Sequence, residues 1–172
     1  MSEPMAEPPK SLSDPSELFV AYLDWERSVI ARKLAGLTEQ ELRTAVLPSG
    51  WTPIELLKHL VYMEQRWLVW GFAAQQVPSP WGDHDLQTER WHVGPQETLA
   101  ELLAALDEVG QKTRAIIAGA KLEDPAAIGG RFQEDGVAPS LSWILFHVLQ
   151  EYARHAGHLD VVRELIDGDT GE

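Results

Sequence analysis

The chain has 172 residues, enough for one domain with a good core, and it contains no cysteine. That excludes disulfides, Cys-ligated zinc and a protein thiol nucleophile, so any thiol chemistry would have to use a small-molecule thiol. A formal net charge of −13 argues against nucleic acid and anionic membrane surfaces as partners, since both are polyanions. No stretch approaches the roughly 20 apolar residues of a membrane span, and the N-terminus lacks the basic and apolar regions of a signal peptide. A soluble, cytoplasmic protein is the expectation.

Met1 to Ser13 is rich in Pro, Glu and Ser and is expected to be a mobile tail, leaving residues 14–172 as a single domain. The first helix is predicted from about Asp14 to Ala35, with Asp14-Pro15 as cap and first-turn proline and Gly36 as its end. Leu18, Tyr22, Trp25 and Val29 form its apolar stripe, widened by Phe19, Leu23 and Ile30. Thr38 to Glu41 resembles a capping box and predicts a short helix. A second capping box at Thr52-Pro53-Ile54-Glu55 opens the second long helix, which is predicted to run to about Gln76. Leu56, Leu60, Met63 and Trp67 outline its buried face, and His59 lies on one edge of that face.

Val77 to Gly94 is a long loop carrying Trp81, Asp83, His84, Asp85, Arg90, Trp91 and His92. The third long helix is predicted from near Pro95 to about Ala120, with Leu99, Leu102, Leu103, Leu106, Ile116 and Ile117 as its stripe. Lys121 to Pro139 is a second long loop containing Gly129-Gly130-Arg131. The fourth long helix runs from Ser140 to Gly168, with Ile144, Val148, Leu159, Val162 and Ile166 at helical spacing. No segment shows the alternation of a strand. The fold class is therefore all-α, and a four-helix bundle is the natural way to bury four stripes. Long ordered loops are candidates for the walls of a pocket.

Glu151 and His155 interrupt the fourth stripe from within. Residues four apart lie one above the other on a helix, so this pair can bite a single ion. His59 is the candidate third ligand, being the only histidine in the first three helices and close to the core face. Two histidines and a carboxylate with an open position suit catalytic zinc and equally the facial triad of non-haem iron. Alternatives remain open, including a His147–Glu151 pair, His158 as a further ligand and Asp160 orienting an imidazole. Taken singly, each of these residues is more often a satisfied boundary histidine or a local polar pair than a ligand. The helix has E-x-x-x-H and no H-E-x-x-H, so a zincin protease is not indicated.

The stretches GWTPIELLKHLVYMEQRWLVWGF (Gly50 to Phe72) and WILFHVLQEYARHAGHLDVVREL (Trp143 to Leu165) resemble the DinB/YfiT-like metalloenzymes. The nearest branch is related to the N-terminal domain of mycothiol-dependent maleylpyruvate isomerase. The resemblance covers nearly the whole chain after the tail. It implies an up-down-down-up bundle, metal ligands at His59, Glu151 and His155, a divalent ion (zinc or nickel typically) and frequent homodimers. The commoner form of the family has three histidines, and Glu151 stands at the second position as in the isomerase branch. The second domain of that isomerase is expected to be absent, so its specific reaction is not implied.

Several members of the superfamily are thiol-dependent isomerases or S-transferases using mycothiol, bacillithiol or glutathione. The expected function is a metal-dependent thiol S-transferase or isomerase acting on a small molecule, the low-molecular-weight thiol being a cosubstrate. The alternatives are a metal-dependent hydrolase and a non-enzymatic bundle that binds a ligand or partner. Arg131 and Arg90 are candidates to grip a carboxylate, Trp81 and Trp91 to form a lid, and His147 to shuttle a proton. No catalytic residue is assigned.

Overall fold

A computed structural model describes residues 6–134 and 136–170, and these are helical, with two isolated β-bridges and no strand among them. The expected tail falls partly on residues 1–5, which lie outside the described residues. In its described part the N–H of Leu12 closes a turn on Pro9, and Tyr22 of the first helix donates to Glu7 at 3.4 Å. No helix among the described residues is long and apolar enough to cross a membrane.

Helix α1 spans Pro15–Leu34, with the Asp14 carboxylate accepting from the Glu17 N–H and Pro15 in the first turn. Its buried line is Phe19, Leu23, Val29, Ile30 and Leu34, of which all but Leu34 were predicted, whereas Leu18, Tyr22 and Trp25 lie half-buried along one edge. The buried face is thus centred on the widening residues of the predicted stripe, and Glu26, Arg27 and Lys33 are also drawn inside. Helix α2 (Glu39–Leu42) forms at the predicted capping box, Thr38 and Glu41 each bonding the other's backbone.

Helix α3 (Pro53–Glu64) begins at the Thr52–Glu55 capping box as expected. It does not continue as an α-helix to Gln76. From Gln65 to Phe72 the chain winds as a π-helix, and the Ala73 N–H reaches back to Leu68. The wider turn is compatible with Gly71, where a β carbon would sit 2.8 Å from the Arg66 carbonyl. The last carbonyls of this segment are taken by the 121–139 loop: Arg131 N–H donates to Trp70 and Ala127 N–H to Phe72.

Helix α4 spans Leu99–Gly119, starting four residues later than the predicted Pro95. Glu97 is held outside the helix. Its carboxylate accepts the Gly94 N–H at 2.6 Å and pairs with buried Lys58 of α3 at 2.8 Å. Thr98 then caps the helix with Glu101. Helix α5 covers Leu141–Asp167, with Ser140 as its cap and Gly168 in the left-handed region at φ 79°, as its sequence predicts.

α1 packs chiefly on α5 and α4, while α3 packs on α4 and α5. The core between them is made of Leu23, Ile30, Leu56, Leu60, Leu106, Ile144, Val148 and their neighbours. Each such side chain, fully buried, contributes roughly 1.5–3 kcal/mol relative to exposure. At the centre lies a polar knot. Glu64 is fully buried and accepts from Arg27 of α1, Thr113 of α4 and Tyr152 of α5, the last at 2.5 Å. One carboxylate therefore ties all four long helices, which satisfies the charge that burial would otherwise penalise. Burial and the adjacent Glu64 charge push the Tyr152 hydroxyl well above its ordinary pKa, so it stays a donor. Gly110 of α4 leaves room for Arg27, since a β carbon there would lie 2.9 Å from its Nε.

Candidate metal centre

α5 presents Glu151 and His155 one turn apart toward α3, and α3 presents His59 toward them. The glutamate Oε2 lies 3.3 Å from His155 Nε2 and 4.0 Å from His59 Nε2. One donor atom from each residue falls within 4.8 Å of the other two, and the side chains are 8–15 % exposed. Separations of this size let one ion sit between the three. No other His, Asp or Glu among the described residues joins the group, which leaves part of a coordination shell for a non-protein ligand.

The supporting contacts fix which atoms face inward. Asp83 is fully buried, and His59 Nδ1 lies 3.1 Å from its Oδ2. A carboxylate only accepts, so Nδ1 carries the proton and Nε2 turns its lone pair toward the space shared with Glu151 and His155. Asp83 is in turn held by Arg66 at two points, 2.5 and 3.1 Å, and Arg66 also donates to the Pro80 carbonyl. Burial opposes the Asp83 charge, but the hydrogen bonds from His59 and Arg66 and the Arg66 charge outweigh it and hold its pKa far below the carboxylate range. His155 turns its Nδ1 to His158 Nδ1 at 3.3 Å, so the two rings share one hydrogen bond.

Burial lowers the His155 pKa to about 4, helped by the neighbouring His59 and opposed by Glu151. The imidazole is neutral at physiological pH, the form a metal requires. Glu151 Oε1 points the other way, 3.6 Å from Arg154. Trp91 lies flat on His59, with centroids 4.2 Å apart and planes 18° apart, and its ring also meets the His155 ring edge-to-face at 5.5 Å. It closes one side of the cluster. Outside it, Trp51, Glu55, Arg90 and Trp91 line a surface cavity of about 220 Å³.

The structure therefore brings His59, Glu151 and His155 together, and it gives different roles to the alternatives. His158 backs His155 from behind. His147 stacks parallel on Trp143 and against Trp67, and burial lowers its pKa. Asp160 pairs with Lys33 of α1 and does not support an imidazole. Arg90 donates to the Ser49 carbonyl, while Arg131 lies over Trp67 with its guanidinium carbon 4.1 Å from the ring centroid. Trp81 is nearly half exposed and carries the Arg66 guanidinium on its face.

Asp83 and Arg66 were not singled out by sequence reasoning. A usable signal existed for Arg66: it lies two turns beyond His59 on the predicted helix, so a cation shares the candidate ligand's face and needs a carboxylate partner.

The three donors, the fixed tautomer of His59 and the neutral His155 suit a divalent ion. No curated protein matches the chain at significant similarity. A family model described as mycothiol S-transferase matches residues 18–168, which takes in all three converging side chains, and the chain belongs to that family, a DinB-like one.

Proposed function

We propose that the protein is a metal-dependent S-transferase of the mycothiol type, in which His59, Glu151 and His155 hold one divalent ion, zinc or nickel. The observation that carries this reading is the convergence of three donors from two helices with no fourth protein ligand among the described residues. Family membership supports a low-molecular-weight thiol as cosubstrate. The helices are read as the DinB-like bundle in up-down-down-up order, consistent with α1 lying between α4 and α5.

When bound, a divalent ion with an open position lowers the pKa of a thiol and makes the thiolate available near neutral pH. The chain's own residues do the rest. Asp83 keeps His59 in the tautomer that offers Nε2, and Arg66 keeps Asp83 charged. His158 orients His155. Trp91 and the apolar helix faces keep water from the inner side of the cluster, which strengthens electrostatic interactions there.

The test is elemental analysis of untagged protein purified without chelator, beside His59→Ala and Glu151→Ala, followed by consumption of thiol with a small electrophile. The expected result is about one metal per chain, lost in both variants, and conjugation that stops when the ion is stripped. Turnover of substrate without any thiol would replace this reading with a hydrolase. A folded wild type lacking stoichiometric metal would leave a ligand-binding bundle.

A further inference from the structure

Arg131 is the anomaly of the loop that follows α4. Its guanidinium lies over Trp67 at 4.1 Å and 5.7 Å from the centroid of Trp81, and Nη1 is buried with no hydrogen-bond partner. No carboxylate pairs with it among the described residues, although the chain carries 27 Asp and Glu against 14 Lys and Arg. By contrast, Arg27, Arg66 and Arg163, the other substantially buried arginines, each have a carboxylate. A buried guanidinium nitrogen left without an acceptor is costly in an isolated chain, so a built position of this kind points to an acceptor supplied from outside.

The site also lies beside the candidate metal centre, by two routes. Trp67, under Arg131, touches His147 at 4.3 Å, one turn before Glu151. Trp81 touches His84 at 5.7 Å, whose ring lies 6.4 Å from that of His59. The local charge is specific. Arg66 and Arg131 are neighbours, and Asp83 takes up the Arg66 charge through two hydrogen bonds, leaving one unit of positive charge. That matches a monoanion and not a phosphate dianion. A guanidinium presents paired N–H groups that fit a carboxylate, and the two indoles favour a carboxylate on an unsaturated or aromatic body.

We propose that Arg131, between Trp67 and Trp81, is the binding site for the carboxylate of a small organic acid, the electrophilic partner of the thiol. Its role in catalysis rests on the S-transferase reading, whereas the anion site itself does not.

The experiment uses the full chain and measures tryptophan fluorescence quenching by benzoate and by its neutral isostere benzamide. Benzoate should bind at least about tenfold more tightly than benzamide, the discrimination a charge-assisted pair provides. Arg131→Gln should lose about tenfold for benzoate and nothing for benzamide, and Arg131→Lys should fall between, keeping the charge without the fork. In His155→Ala, benzoate binding should persist after the metal is gone. Equal affinity for the two probes, no benzoate binding, or an unaltered Arg131→Gln would overturn the assignment. So would loss of benzoate binding together with the metal in His155→Ala, because the ion would then be the anion's holder. The metal and thiol reading fails separately, by elemental analysis.

Discussion

Asp83 Oδ2 lies 3.1 Å from His59 Nδ1, so a fully buried carboxylate from a loop decides which nitrogen of a helical histidine faces the candidate metal site. Replacing Asp83 by Asn keeps the shape and removes the charge. Metal affinity is expected to fall about 10- to 100-fold, as for other residues that orient a ligating imidazole. The Arg66 charge left uncompensated should cost about 3–5 kcal/mol of stability. Competition against a chromophoric chelator reads the first effect and urea unfolding the second. Unchanged metal affinity in Asp83→Asn would remove the orienting role.

The cluster joins α3 to α5, so an ion there acts as a ligand of the folded state alone. At a free-ion concentration a thousand times the dissociation constant it should stabilise by about 4 kcal/mol. Chelation should lower the melting temperature of wild type by several degrees and leave His155→Ala, already without metal, unmoved. A chelator effect of equal size in the variant would mean that the stabilising ion sits elsewhere.

Acid should weaken the metal-free protein in a defined window. The His155 pKa is lowered to about 4 from an ordinary 6.5, so between those values the unfolded chain takes up a proton that the folded chain refuses. The associated stability is present above about pH 6.5 and lost as pH falls toward 4. Asp83 acts in the same direction further down: its lowered pKa gives stability above the usual carboxylate range, lost only in strong acid. Melting curves of chelated wild type and His155→Gln from pH 7.5 to 4.5 should diverge at neutral pH and converge as pH falls. Parallel curves would show that burial of His155 carries no proton linkage.

Glu64 should separate folding from metal binding. Glu64→Ala leaves Arg27 buried without a partner and orphans Thr113 and Tyr152, with an expected cost of about 3–5 kcal/mol. Because none of these groups touches the cluster, metal affinity of the folded fraction should change less than twofold. A larger change would show that the polar knot sets the spacing of α3 and α5 at the metal end.

Helix existence, the capping boxes at Thr38 and Thr52 and both ends of α5 were legible in the sequence, because each is written in local chemistry: a hydroxyl, a carboxylate three residues on, a glycine at the end. Glu151 and His155 were legible for the same reason, since helical geometry alone puts them on one face. Asp83 was not, because its position depends on a loop whose path is set by Arg66 and the Pro80 carbonyl, contacts distant in sequence. The burial of Arg27 and Lys33 on α1 was hidden because it depends on tertiary pairing with Glu64 and Asp160 of other helices. The π turns of Gln65–Phe72 leave no periodic signature in eight residues, and the late start of α4 came from Glu97 preferring Lys58 to a helical turn.

The π segment also divides the surroundings of the cluster into a fixed side and a yielding one. The 121–139 loop donates its Ala127 and Arg131 amides to carbonyls of the same segment that continues α3, so that loop travels with the helix bearing His59. The stretch 73–98 is built otherwise: Ala74, Ser79 and Glu89, the three non-glycine residues at positive φ among the described residues, all lie in it, at 47° to 56°. Such conformations store strain that another arrangement can release. Opening of the cluster is then expected on the Trp91 side, and slow amide exchange at Ala127 and Arg131 beside faster exchange at Leu86 and Arg90 would be its signature.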